Sequence, residues 1–324
     1  MMKGLFFQAT GSLANLTVEE LPMPAPKGGE VLVQVVAAAI NPSDVKNVQG
    51  KMPQTTLPRV PGRDFAGRVV SEDSHWRGKS VFGTGGDLGF GRDGSHAEFM
   101  AVPIEALVET PPEFSDENAA SIGVIYLTAF AAIVRTGEVK SGETVLVTGT
   151  TGAVGSAAAT IAHLKGARVL GTVRSRAELG RRTDLSFVEW IALDSRPLPE
   201  SVKELTRGKG ADLILDVVGG PLFQPCLESL AQRGRQIAIA SAGNPQVTFN
   251  LVDFYHKEAR LIGVDTLKLS FSESAEILKA LLPGFKAAVF ALPSVETVSL
   301  DGALHAYQAI DQGTSKKKVV IRFG

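Results

Sequence analysis

The sequence predicts an α/β protein built from two domains, a partly open β-barrel and a doubly wound parallel sheet. Three observations carry that expectation. The first third of the chain is a series of short strands separated by turn residues. Near residue 115 the pattern changes, and strands then alternate with helices, as parallel strands joined by helical crossovers do. Finally, Glu143 to Val173, ETVLVTGTTGAVGSAAATIAHLKGARVLGTV, reads as strand, glycine-rich turn, helix and strand within about thirty residues, the size of one βαβ unit.

The elements follow in order. Leu5-Phe6-Phe7 is a short strand, and Pro22, Pro24 and Pro26 punctuate the loop after it. Glu30 to Ala38, EVLVQVVAA, alternates partly and is a strand. Asn41-Pro42-Ser43-Asp44 is turn chemistry ahead of a short helix, and Leu57 to Gly62 is a loop. Phe65 to Val70, Val81-Phe82 and Ala97 to Val102 are further strands, with glycine-rich chain from Gly83 to Gly94. Ser115-Asp116-Glu117 starts a helix with acids in its first turn. Beyond it, strands are expected at 145–148, 168–173, 213–216, 236–239 and 260–264. Helices are expected at 116–121, 126–136, 153–165, 176–182, 199–206, 223–232 and 272–288. After Pro293 the chain turns β-rich again, with a helix near 301–311 and a closing strand from Lys318 to Phe323. These boundaries place one domain at 1–121 and 289–324 and the other at 122–288.

Bulk properties narrow the function classes. A chain of 324 residues, 44% hydrophobic and 21% charged, has ordinary globular composition and ample core for two domains. A formal charge of −1 argues against nucleic acid or an anionic membrane as a main partner. One cysteine, Cys226, allows no internal disulfide and fits a reducing compartment. Leu5-Phe6-Phe7 is too short for the core of a signal peptide. The uncharged run from Asn118 to Val134 reads as buried protein structure rather than a membrane span. The expected location is the cytoplasm.

The turn within 143–173 carries the first chemistry. Glycines stand at Gly149, Gly152 and Gly155, whereas the dinucleotide fingerprint G-x-G-x-x-G asks for positions 150, 152 and 155. Thr150 fills the first slot, so the match is partial. Gly152 allows the backbone close to a pyrophosphate, and Gly155 lets the helix sit close to the strand. Thr151, Ala153 and Val154 complete the loop, and the helix N-terminus offers N–H groups and a positive dipole end to phosphate. The second strand ends at Val173 and is followed by Arg174, Ser175 and Arg176. An acid for a ribose 2′-OH is absent until Glu178, while two guanidiniums and a hydroxyl suit a 2′-phosphate. The expected cofactor is therefore NADPH. Val218 and Gly219 follow one strand's carboxyl end and Ser241, Ala242 and Gly243 another's, where ligands of open α/β sheets bind.

The motifs in order resemble one family over nearly the whole chain. They are Ala39-Ile40-Asn41-Pro42-Ser43-Asp44, Pro61-Gly62-Arg63-Asp64-Phe65-Ala66-Gly67, and Gly94-Ser95-His96-Ala97-Glu98-Phe99. Leu127-Thr128-Ala129-Phe130, Gly142 to Gly155, Asp216-Val217-Val218-Gly219-Gly220 and Lys318-Val319-Val320 continue the set. The chain resembles the medium-chain dehydrogenase/reductase superfamily, and within it the zinc-independent quinone oxidoreductases. The resemblance implies a GroES-like catalytic domain, a Rossmann cofactor domain, and a homodimer joined through the edge strand Arg260 to Val264. In zinc members, cysteine stands at the position of Asn41 and histidine at that of Arg63. Amide and guanidinium do not replace those ligands, so no metal is expected.

Two residues are candidates for contact with substrate. Asn41 has an amide that can donate to a substrate carbonyl, with an Asn-Pro turn as the alternative reading. Thr128 has a hydroxyl for substrate or nicotinamide ribose, or for its own helix backbone. Enoyl-thioester reductases of the superfamily carry a catalytic tyrosine in a segment resembling Val48 to Pro53. Met52 stands there in this chain, and a thioether donates no proton. The expected activity is hydride transfer from NADPH to a quinone or an α,β-unsaturated carbonyl, without zinc. The alternatives are an enoyl-thioester reductase with another proton donor, and a non-enzymatic NADPH-binding protein like the lens crystallins of this family.

Overall fold

The computed structural model describes residues 1–72, 74–179 and 185–324. The chain divides into two compact units, Met1–Val124 with Thr266–Gly324, and Ile125–Asp265.

The first unit is mostly β. Strand β1 (Met2–Phe6) pairs antiparallel with β2 (Thr17–Leu21). Strand β3 (Glu30–Ala39) is the longest, and its side chains alternate between core and periphery as period two requires. Helix α1 (Pro42–Val48) follows, with proline at its first position, where a missing N–H costs nothing. Strands β4 (Asp64–Val69), β5 (Ser80–Gly83), β6 (Phe99–Pro103) and β7 (Val108–Glu109) complete the first segment. Residues Glu30–Gln34 of β3 pair with β6, and Ala37–Ala39 pair with the final strand. Its pairing with β4 slips between Val35 and Ala37, a bulge at the point where β3 changes partners. Phe7, Val33, Phe65, Leu88, Tyr307 and Ile321 belong to the core beneath this sheet.

Helix α2 (Asp116–Phe130) runs directly into a π-helical stretch, Ala131–Thr136. Two helices were expected here; the sequence from Ala119 to Ile133 has no proline and no charge to separate them. Asp116–Thr136 has the length and composition to cross a membrane, but 67% of its most apolar window is buried within protein.

The second unit holds a six-stranded, all-parallel sheet. Its strands are β8 (Thr144–Val147), β9 (Arg168–Val173), β10 (Val188–Ala192), β11 (Ala211–Asp216), β12 (Leu230–Ala238) and β13 (Arg260–Gly263). Helices α3 (Ala153–Leu164), α4 (Leu198–Leu205), α5 (Phe223–Glu228) and α6 (Leu251–His256) connect them. The spatial order is β10-β9-β8-β11-β12-β13. In chain terms that is 3-2-1-4-5-6, the dinucleotide-binding doubly wound order, with its switch point between β8 and β11. All four residues of β8 are buried, as a central parallel strand demands.

The structure departs from the sequence reading in this unit. Strand β10 was not expected, and the predicted helix 223–232 stops at Glu228. Leu230 is already paired with Ala211 on β11, and that ladder wins over a helical continuation. The predicted helix 176–182 begins as a 3₁₀ turn, Arg176–Glu178, and its residues beyond 179 lie outside the described ones.

Helix α7 (Phe271–Lys286) was expected in the cofactor domain and belongs instead to the first unit. Phe271 enters that unit's core, and Phe285 meets Phe114 edge-on with ring centroids 5.8 Å apart. A capping box on Ser270 and Glu273 starts the helix. Strand β14 (Val295–Val298), helix α8 (Ala303–Asp311) and strand β15 (Lys318–Arg322) return the chain to β3, where β15 pairs antiparallel.

Candidate functional site

In the second unit, the carboxyl ends of β8 and β11 are stitched together at the switch point. The Thr148 hydroxyl donates to Asp216 at 2.8 Å, and Val217 N donates back to Thr148 Oγ1 at 3.0 Å. The fully buried Asp216 also accepts from Val218 N at 3.1 Å and Gly219 N at 2.9 Å, which fixes the loop after β11. Val218 O accepts from Ala242 N at 2.7 Å, so Val218, Gly219, Ser241 and Ala242 are brought together, with Gly243 adjoining. Gly219 has φ +66, and a Cβ there would lie 2.3 Å from Ala240 O.

The glycine turn leads from β8 into α3. Gly149, with φ +58, makes the tight turn, which frees position 150 from being glycine. The Thr150 side chain is buried and faces the sheet. Its hydroxyl donates to Val147 O at 2.6 Å and accepts from Thr172 N at 3.0 Å. Thr150 therefore braces β8 against β9, leaving only its backbone to a ligand. Thr151, Gly152 and Ala153 are exposed on the turn, Val154 is half-buried and Gly155 is buried. A Cβ on Gly155 would stand 2.4 Å from Gly149 O, so helix and turn are in backbone contact. No side chain caps α3, and its first-turn N–H groups are left to water or ligand. These features fit a dinucleotide pyrophosphate.

Arg174 is exposed immediately after β9, and Ser175 is half-buried beside it. Arg176 is partly engaged, its Nε donating to Ser195 Oγ at 2.7 Å. Its backbone N donates to the Asp194 carboxylate at 3.1 and 3.3 Å. Sequence reasoning missed Asp194. It follows β10, and without that strand in the expected order nothing placed residue 194 beside the end of β9.

In the first unit, Asn41 lies in a buried polar cluster. It is 2% exposed, and both ends of its amide are engaged. Nδ2 donates to Asp64 Oδ2 at 2.9 Å and weakly to Ala39 O at 3.5 Å, while Oδ1 accepts from the Lys318 ammonium. Asp64 also accepts from Val124 N at 2.9 Å, and Lys318 Nζ donates to Ile40 O at 3.1 Å. Asp44 accepts from Asn41 N at 2.7 Å. Burial pushes the Asp44 carboxyl up to about 7, the Asn41 bond opposes this, and neighbouring Asp64 adds to it. Burial likewise lowers the Lys318 ammonium below the usual lysine range, with Asp64 and Asp44 opposing.

His96 and Tyr307 complete the cluster. His96 Nε2 lies 3.3 Å from Ala39 O, which can only accept, so Nε2 carries the proton. Nδ1 then accepts from Tyr307 Oη at 2.8 Å. Burial takes the imidazole down to about 3, keeping it neutral. Thr128 stands half-buried on α2 in the second unit, and is described there on its own.

This donor set does not fit zinc. An amide already bonded at both ends and a guanidinium stand at the two expected ligand positions, and the cluster's imidazole, His96, is engaged at both nitrogens. Among the described residues no group of three or more His, Cys, Asp or Glu could hold a metal ion.

Comparison with known proteins agrees with the fold. Residues 27–112 match the family model "Alcohol dehydrogenase GroES-like domain", and residues 153–282 match "Zinc-binding dehydrogenase". A zinc-type alcohol dehydrogenase-like protein of Schizosaccharomyces pombe is 38% identical, over 94% of this chain and 92% of its own. The quinone oxidoreductase of Homo sapiens is 28% identical, over 82% of this chain and 80% of its own. The crystal structure of an alcohol dehydrogenase superfamily protein from Novosphingobium aromaticivorans superposes with a TM-score of 0.87 at 29% identity, covering 100% of both chains. With both domain models matched in order, and the S. pombe relative aligned end to end, the chain belongs to the medium-chain dehydrogenase/reductase superfamily and is a quinone oxidoreductase-like member of it.

Proposed function

We propose that this oxidoreductase uses NADPH to reduce quinones or α,β-unsaturated carbonyls, without zinc. The observation that carries the cofactor choice is the corner after β9. Two guanidiniums, Arg174 and Arg176, stand there, and the neighbouring acid, Asp194, already accepts from a backbone N–H. A 2′-phosphate suits two guanidiniums. A ribose 2′-OH needs a free carboxylate instead.

The nicotinamide, when bound, supplies a hydride to the substrate. The chain's own part is to hold and orient. Gly152 and the first turn of α3 receive the pyrophosphate. Val218, Gly219, Ser241, Ala242 and Gly243 line the carboxyl ends of β11 and β12, where an open α/β sheet receives its ligand. Thr128 supplies a hydroxyl for substrate or ribose. Asn41, with its amide engaged by Lys318 and Asp64, acts as a positioning residue rather than a donor to a carbonyl. The donor chemistry around Asn41 and Arg63 supports a zinc-free reaction. Exposed Leu261 on the edge strand β13, with exposed Leu251 and Tyr255 nearby in sequence, supports a homodimer paired through that edge. A single buried cysteine supports a reducing, cytoplasmic setting.

The decisive experiment offers NADPH and NADH to the purified protein with quinones, enones and acyl-CoA thioesters, following loss of reduced-nicotinamide absorbance. Turnover of quinones or enones with NADPH, unaffected by chelators, is expected. Turnover confined to acyl thioesters would shift the reading to an enoyl-thioester reductase. Tight NADPH binding without any turnover would point to a non-enzymatic binding protein.

A further inference from the structure

The first unit contains an ammonium enclosed by oxygen. The Lys318 side chain is 9% exposed, and its Nζ reaches the Ile40 carbonyl at 3.1 Å, the Asn41 amide oxygen, and Asp64 Oδ2 at 3.9 Å. Asp64 is fully buried, as is Asp44, which acts on the same ammonium through its charge. These oxygens come from the turn between β3 and α1, α1 itself and β4. The ammonium comes from β15, 277 residues away from Asn41. Carbonyl, amide and carboxylate oxygens are the ligands that hard cations take. A fully buried Asp64 carboxylate left without this ammonium would carry a large desolvation cost.

We propose that this cage is a cation site whose resident cation is the chain's own Lys318 ammonium, and that it admits a small alkylammonium only when that side chain is removed. The cage orients Asn41, because the same ammonium and the same Asp64 oxygen hold opposite ends of its amide. The inference stands apart from the choice of cofactor or substrate, since its readout is thermal stability without either.

The test is chemical rescue. Lys318→Ala removes three carbons and the nitrogen, the atoms of n-propylammonium. The variant should melt about 10 °C below wild type, the shift expected when one partner of a buried ion pair is lost. Tens of millimolar n-propylammonium chloride should restore much of that loss, while sodium chloride at equal ionic strength and n-propanol should not. Wild type should respond to none of these, nor to zinc, magnesium or calcium ions. Lys318→Arg should retain most of the stability.

Three results would overturn the proposal: Lys318→Ala melting like wild type, n-propylammonium shifting both proteins equally or neither, or wild type being stabilised by a metal ion in a way that Asp64→Asn abolishes. If Lys318→Ala does not fold, Lys318→Met provides the second arm. Adding Asp64→Asn to it removes the uncompensated carboxylate and should raise its melting temperature. A double variant no more stable than Lys318→Met alone refutes the cage.

Discussion

Two glycines with different roles, Gly152 and Gly155, should separate binding from stability when each becomes alanine. A Cβ on Gly155 meets only backbone at short range: Gly149 O at 2.4 Å, and Gly149 C and Thr150 Cα at 2.9 Å. None of these can swing aside, so α3 and the turn must part by about 1 Å to restore ordinary contact. Because only backbone is met, the cost lies at the upper end for overpacking, about 2.5–3 kcal/mol, and alanine's better helix propensity offsets about 1 kcal/mol of it. The net loss should lower the melting temperature by about 3–8 °C. Gly152 is different. It is exposed, its φ of −78° suits alanine, and its nearest neighbour for a Cβ is Gly149 O at 3.2 Å. Replacing it should lower melting by about 2–4 °C, since alanine is a poorer N-cap than glycine by about 1 kcal/mol. Its Cβ would nevertheless stand where the pyrophosphate approaches. Losing one charge-assisted hydrogen bond is worth about 1.5–3 kcal/mol, or roughly ten- to a hundredfold in Kd. Calorimetric titration with NADPH and thermal melting of both variants give the answer. Wild-type affinity in Gly152→Ala would remove the pyrophosphate from this turn, and wild-type melting in Gly155→Ala would contradict the close helix approach.

Three further outcomes follow from the same geometry. Arg174→Ala should weaken NADPH by roughly ten- to a hundredfold and leave NADH almost unchanged, with a smaller effect for Arg176→Ala because Ser195 already holds its Nε; equal wild-type affinity for the two cofactors would refute the assignment. Light scattering should show a dimer, and Leu261→Arg on the open edge of β13 should shift it toward monomer; a wild-type monomer at micromolar concentration counts against edge pairing. Asp44 and His96 should oppose each other in acid. The raised Asp44 pKa gives stability that is complete below the unfolded carboxyl's value and lost as pH rises through about 7. The lowered His96 pKa gives stability present above the unfolded imidazole's value and lost as pH falls toward about 3. Over the shared range the two slopes largely cancel, so Asp44→Asn should expose the histidine's, making melting fall more steeply with acid than in wild type; parallel curves would show that Asp44 is not raised.

The fold was legible where local pattern and tertiary demand coincide. Strand β8 is four apolar or β-branched residues and is buried throughout, and the turn after it is announced by Gly149, Gly152 and Gly155. Strand β10 was not legible, because Glu189 interrupts its short apolar run and it owes its place to pairing with β9. Helix α5 was overextended, since Leu227, Leu230 and Ala231 continue a helical spacing although the last two already belong to β12. Helix α7 followed the strand–helix alternation in sequence, and only the contacts of Phe271 and Phe285 show which unit it serves. At the site, the residues near the glycine turn could be named from local sequence. The partners that limit Asn41 could not, because Asp64 is 23 residues away and Lys318 is 277.

The discontinuity of the first unit has a consequence for the order of folding during synthesis. Every strand of the parallel sheet lies between residues 144 and 263, one contiguous stretch that can pair as soon as it leaves the ribosome. The barrel-like unit cannot close so early. Its strand β3 waits for β15, the last element made, and Asp44 and Asp64 wait for the ammonium that β15 brings. Until then, residues 1–124 present at Ala37–Ala39 a strand segment paired to β4 on one side and open on the other, and an Asp64 carboxylate without its lysine. The nascent chain therefore carries a finished cofactor domain beside an unfinished partner, and a truncation short of Lys318 should produce a protein that still folds its parallel sheet while its first unit remains open to proteases.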